Sequence, residues 1–176
     1  MDILAGPAIE QRAERTSLGI REIVPFRGML SARDRLWAEL LHWLEVRRNP
    51  DTGALFLRLH VIDMRGEMDI EAGMITDGEV AGDDRVRLGR IPAGEYATLS
   101  YKNHSIRANG LLIDWTAAQG RQFDRMDDPA GDRFASRCEI NITDPRREKR
   151  RKEWIVQLDF LLRSEQQPTL RGASHG

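Results

Sequence analysis

What most constrains this chain is a change of hydrophobic period that occurs twice, in the same order. Leu18, Ile20, Ile23, Val24 and Phe26 are interleaved with charges as in a strand. Leu36, Trp37, Leu40, Leu41, Trp43 and Leu44 then recur at helical spacing. Two alternating runs follow, Leu55–Val61 and Met68–Met74, divided by a turn at Arg65-Gly66, which reads as a β-hairpin. A Gly- and Asp-rich stretch over 76–84 separates the halves. The order then returns. An extended segment runs over 85–101, broken at Pro92-Ala93-Gly94. A helix carries Ile106, Leu111, Leu112 and Trp115, and Gly120 and a long polar loop follow it. The last two alternating runs centre on Cys138, Ile140 and Ile142, and on Trp154, Val156, Leu158, Phe160 and Leu162. Ser31, with Asp34 three residues on, is placed to cap the first helix, and Ser105 the second.

This order predicts an α+β fold of two strand–helix–strand–strand repeats, over residues 16–76 and 85–163, with pseudo-twofold symmetry around a central cleft. A chain of 176 residues can bury one such core. Residues 1–15 have no clear period and read as a flexible arm. Residues 164–176 carry Ser, Gln, Pro and Gly and read as a disordered tail.

Composition excludes several classes. A net charge of -1 gives no global attraction to nucleic acid or anionic lipid. No apolar run approaches the ~20 residues of a membrane span. The first residues lack a secretory pattern, and Cys138 is the one cysteine, so a cytoplasmic setting is expected. His42, His60, His104 and His175 are scattered without metal-ligand spacing, and no phosphate loop or nucleophile elbow occurs. No metal and no cofactor are expected.

Alternation places Glu139 on one face with Arg137, Asn141 and Thr143, opposite Cys138, Ile140 and Ile142. The apolar face is expected to pack on the helices, and the polar face to look outward or toward the other half. Arg58 falls opposite Glu139 when the two hairpins are aligned, with His60 and Glu71 toward the same side. These residues either line the second wall of a cleft or form a cross-strand surface pair. Trp43 and Trp115 lie on apolar helix faces, which suits core packing. Tyr101 comes at a strand-to-helix turn near where a cleft should open, and Trp37 is placed to flank it. The run 146–152 has six basic residues in seven, and is either an anion or nucleic-acid contact or a solvated hairpin tip.

Several segments together carry a family resemblance. They are Phe26-Arg27-Gly28, the Trp43 helix and Asp69-Ile70-Glu71-Ala72-Gly73 in the first half. In the second they are Ile91-Pro92-Ala93-Gly94-Glu95-Tyr96-Ala97, the helix ending near Trp115, and the stretch from Cys138 to Pro145. In this order they resemble the GyrI-like domains, which include effector-binding domains of bacterial multidrug-responsive transcription activators. The resemblance covers 18–162. It implies a cleft where Glu139 attracts cationic, often aromatic ligands; placement in the chain adds Tyr101, Trp37, Arg58, Glu71 and Asn141 as expected contacts. Two departures stand out: Asn103 where the family has Gly, tolerable because Asn accepts left-handed angles, and the basic 146–152 run. The two repeats leave no room for a helix-turn-helix domain, so a stand-alone domain binding a small molecule is expected. The alternatives are a hydrolase using a water near Glu139 and Tyr101, or a gyrase-inhibitor type of module meeting a protein partner through the basic loop.

Overall fold

A computed structural model of the protein describes residues 1–78 and 80–165; most of the expected disordered tail, 164–176, lies outside the described residues. The chain opens with Asp2–Arg12 (β1) and Arg15–Pro25 (β2). A 3-10 turn at Phe26–Gly28 leads into Met29–Val46 (α1). Leu55–Ile62 (β3) and Glu67–Ile75 (β4) form the first hairpin. Arg87–Ile91 (β5), Gly94–Lys102 (β6) and Ser105–Ala118 (α2) follow. Arg125–Asp128 (β7) and Gly131–Phe134 (β8) make a small hairpin before Arg137–Asn141 (β9) and Ile155–Leu161 (β10).

The architecture is α+β, with a mostly antiparallel sheet in the order β1-β6-β10-β9-β3-β4-β2-β5. The two strand–helix–hairpin units join edge to edge through β3 and β9, where Phe56 faces Ile140 and Arg58 faces Cys138. α1 packs on β2 and β4, and α2 packs on β6 and β1. Register decides which face the helices share. Leu99 faces Leu158, Leu158 faces Glu139, Glu139 faces Leu57, Leu57 faces Ala72, and Ala72 faces Ile20. Ile20, Leu57 and Ala72 pack in one core with the α1 stripe Leu36, Trp37, Leu40 and Leu44. Leu99 and Leu158 pack in another with Ala108 and Leu112 of α2. Both helices therefore cover one face, each burying a stripe at helical spacing. Each fully buried leucine contributes about 1.5–3 kcal/mol.

The other face has its own core of Phe56, Ile91, Tyr96, Cys138, Ile140 and Leu161. Topology closes it. β1 and β5 stand at opposite edges of the sheet, yet β1 runs into β2 through Ala13-Glu14, and β5 into β6 through Pro92-Ala93. Arg12 faces Gly94 and Arg15 faces Ile91, so the two connections meet and the sheet curls around this second core. Gly73 makes room for Phe56: a Cβ there would lie 2.4 Å from the Phe56 ring.

Four expectations change. The arm expected over 1–15 instead carries β1, paired with β6 along most of its length. Its order comes from the backbone ladder rather than from burial, so it leaves little hydrophobic pattern. Register shifts beside Gly6, whose φ is +80°; a Cβ there would lie 2.7 Å from the Thr98 carbonyl oxygen. The polar loop expected after Gly120 contains β7 and β8, which extend the sheet beside β3. Ser31 and Ser105 are not caps. α1 begins at Met29 after Gly28, α2 begins after His104, and neither helix start has a side-chain cap. Asn103 does take the left-handed conformation, with φ 60°. Finally, the Cys138 face turns away from the helices. Both faces of this sheet are buried, so alternation alone cannot tell which one the helices cover.

The buried thiol gives a simple check on that last point. Cys138 is fully buried, and burial pushes its pKa up to about 12. At pH 8 only about one thiol in ten thousand would be ionised. Native protein is expected to resist a disulfide-exchange reagent such as dithionitrobenzoate for hours, and to react at once in denaturant. Rapid reaction without denaturant would contradict the burial of this face.

Candidate ligand-binding cleft

The central strands β10, β9 and β3 lie between the two helices. On the helix-facing side, β9 presents Arg137, Glu139 and Asn141 as a polar stripe between Leu57 of β3 and Phe160, Leu158 and Val156 of β10. A polar stripe at the middle of an apolar face is costly unless it is bonded or used.

Part of the stripe is satisfied by α2. Asn109 donates its Nδ2 to Glu139 Oε1 at 3.2 Å, and its Oδ1 accepts from Arg137 at 2.9 Å. One amide thus couples the carboxylate to the guanidinium. The Arg137 guanidinium also lies 4.4 Å from the Phe160 ring centre and 4.9 Å from that of Phe134. Burial pulls its pKa down to about 10, against the Glu139 and Asp132 charges that raise it. It stays charged at neutral pH. Arg137 Nε and Asn141 Nδ2 are buried and find no hydrogen-bond partner among the described residues.

The walls are aromatic. Tyr101 of β6 is buried, and burial raises its pKa, with the Glu139 charge adding to the rise and Arg33 opposing it. The phenol is therefore neutral and lies within the fields of both Glu139 and Arg33. Trp37 of α1 is buried, donates its Nε1 to the Phe56 carbonyl at 3.0 Å, and packs 6.4 Å from Trp154. The Arg33 guanidinium stands 4.6 Å from the Trp37 ring centre and 5.6 Å from that of Trp154. The chain's own side chain thus shows that this indole pair accepts a flat cation.

The structure therefore places Tyr101 within the field of Glu139 and Asn141 on the same face of β9, while Trp37 is linked to Tyr101 only through Arg33. It does not bring Arg58 or Glu71 to them. Leu57, not Arg58, faces Glu139, and Arg58 and Glu71 face one another on the opposite side of the sheet. Arg58 there donates to the carbonyls of Arg90 and Ala135, and Glu71 meets His60 Nε2 at 2.8 Å. The alignment of hairpins was one residue out, and a one-residue slip turns a strand side chain to the other face. Sequence reasoning did not single out Arg33, Asn109 or Trp154. Arg33 lies one helical turn before Trp37, but that spacing alone does not distinguish it from any other helix arginine. Among the described residues no group of three or more His, Cys, Asp or Glu could hold a metal, and no helix is long and apolar enough to cross a membrane.

No family model and no curated protein matches this sequence. Solved structures do. The chain superposes on EcmrR from a structure of its DNA complex in EcmrR-RPo with a TM-score of 0.66 and 20% identity, over 89% of this chain and 57% of that one. The chain thus spans somewhat more than half of EcmrR. The crystal structure of the EcmrR C-terminal domain matches with a TM-score of 0.60 and 18% identity, over 89% of this chain and 96% of that domain. This is the GyrI-like fold. A third match within it is SAV2435 bound to tetraphenylphosphonium, with a TM-score of 0.56 and 11% identity, over 93% of this chain and 95% of that one. In this chain the sheet carries the Glu139 carboxylate and the Arg137 guanidinium at its centre, and α1 carries the Arg33 guanidinium beside Trp37 and Trp154.

Proposed function

We propose that this chain is an effector-binding domain that takes an amphipathic aromatic small molecule in the cleft between α1 and α2. The observation that carries the reading is the stripe of half-buried Arg137 and buried Glu139 and Asn141 on the helix-facing side, with an unsatisfied amide at Asn141 and aromatic side chains from Tyr101 and Trp37 nearby. Apolar walls with a few convergent polar groups are the usual make-up of small-molecule sites. Glu139 would receive a cationic or polar group of the ligand, and the indoles would stack on its rings. The element order, strand–helix–hairpin taken twice with β3 and β9 at the join, supports a pseudo-twofold arrangement around this cleft. The neighbours, one bound to tetraphenylphosphonium, support a ligand-binding role, with regulation of transcription as its setting. The hydrolase alternative has less support: a buried, protonated Tyr101 does not serve as a base.

The test is a thermal-shift screen of tetraphenylphosphonium and of neutral and anionic aromatic compounds on wild type and Glu139→Gln. A ligand at a hundredfold excess over its Kd stabilises by about 2.7 kcal/mol, roughly 5–10 °C in a domain of this size. At least one cationic or polar aromatic compound is expected to shift wild type and to lose most of that shift in Glu139→Gln. A hit that shifts both proteins equally would remove Glu139 from the site. No hit in any class would overturn the binding reading.

A further inference from the structure

The basic run over 146–152 is not a free hairpin tip. Asp144 accepts from the Arg146 backbone N–H at 2.9 Å and from its Nε at 2.6 Å. Arg146 donates onward to the Gly53 carbonyl at 2.6 Å and to that of Asp51. Arg151 pairs with Asp34 of α1, and Trp154 Nε1 donates to the Glu148 carbonyl at 2.7 Å. These contacts fold the connection between β9 and β10 back against α1 and the segment before β3.

Between this loop and α1 lies a cavity of about 280 Å³. Its apolar wall is made by the indoles of Trp37 and Trp154 with Leu41 and Leu55. Arg146, Lys149 and Arg151 also line it, against a single carboxylate, Asp34. With Asp144 paired to Arg146 and Asp34 to Arg151, the three cations leave one net positive charge at the cavity, on Lys149. Arg146 is bound up with Asp144 and backbone carbonyls, and Arg151 with Asp34. The exposed Lys149 makes one hydrogen bond, at 3.2 Å to the Pro145 carbonyl, which leaves donors of its ammonium for another group. Glu139 is not part of this wall.

We propose that this cavity is a second binding site, for a small aromatic carboxylate. The flat ring lies against Trp37 and Trp154, and the carboxylate meets Lys149 and the outer edge of Arg151. The volume is just under the ~300–1,000 Å³ common for drug-sized ligands, so the occupant is a one- or two-ring molecule. The charge preference here is opposite to that of the Glu139 cleft, and the two sites share the wall of Trp37 and Trp154.

The experiment is isothermal titration of the full chain with 1-naphthoate, and with 1-naphthylmethanol and 1-naphthylmethylammonium as neutral and cationic counterparts. Wild type, Lys149→Glu, Arg151→Glu and Glu139→Gln are compared at low and high salt. Naphthoate is expected to bind wild type at least fivefold more tightly than the alcohol, and the ammonium more weakly still. Lys149→Glu is expected to weaken naphthoate about tenfold, added salt to weaken it in wild type, and Glu139→Gln to leave it within twofold. Arg151→Glu should act like Lys149→Glu. If removing the Asp34 pair unfolds that variant, the exposed Lys149 carries the comparison. No heat from naphthoate with folded wild type at millimolar concentration overturns the proposal. So does equal binding of acid and alcohol, or an affinity unchanged in Lys149→Glu. Naphthoate binding lost in Glu139→Gln but kept in Lys149→Glu also overturns it, by placing the acid in the cleft.

Discussion

Asp159→Ala is expected to destabilise the protein by about 3–5 kcal/mol, the usual cost of removing one partner from a buried ion pair. Asp159 has no exposed surface. Its carboxylate accepts from Arg12 at 3.3 Å, Arg15 at 3.1 Å, Thr98 at 2.8 Å and Gln157 at 3.0 Å. Arg12 and Arg15 flank the Ala13-Glu14 connection, so this one carboxylate ties the β1–β2 crossing to β10. The alanine variant leaves both guanidiniums largely enclosed, with side-chain exposures of 25% and 22%, and only the half-exposed Glu10, 2.8 Å from Arg12, still opposes one of them. Equilibrium unfolding in urea measures the loss, and hydrogen exchange should show β1 amides losing protection before those of β9. Asp159→Asn keeps the shape and one acceptor and should fall between. A loss below about 1 kcal/mol for Asp159→Ala would mean that these pairs are solvated and worth no more than surface ones.

Trp37→Ala is expected to cost a similar amount, about 3–5 kcal/mol for removal of a buried aromatic side chain with its cavity. Three further contacts go with the ring: its Nε1 bond to the Phe56 carbonyl, its packing on Trp154, and the Arg33 guanidinium above it. Trp37→Phe keeps much of the packing, gives up the hydrogen bond and should lose about 1–2 kcal/mol. The same pair of variants separates structure from recognition. If Trp37→Phe is folded and close to wild type in stability, its ligand shifts report on the indole as a binding wall alone. A loss under 1 kcal/mol for Trp37→Ala, read from the same unfolding curves, would show that the wall collapses without it.

Much of the fold was legible because it rests on local period. The stripe from Leu36 to Leu44 and the alternations of β3, β4, β9 and β10 each meet an apolar neighbour on one side, and that condition shapes the sequence directly. Glu139 stood out through the family resemblance, since alternation alone only put it on a polar face with Arg137 and Asn141. Strand β1 was hidden, because most of its side chains are exposed and a backbone ladder can be made by almost any residue. The charged β7–β8 hairpin was hidden for the same reason.

By itself, the amino-acid sequence determined the order of the elements other than β1, β7 and β8, the two helix stripes and the presence of a polar row on β9. Those depend on residues a few positions apart. Only the tertiary structure decided the register of β3 against β9. It thereby set Leu57 rather than Arg58 opposite Glu139, turned the polar row toward the helices, and brought Asn109 to it. Register between strands whose facing residues Leu57 and Glu139 lie 82 positions apart is set by how the whole sheet packs on both faces, and one residue of slip exchanges those faces.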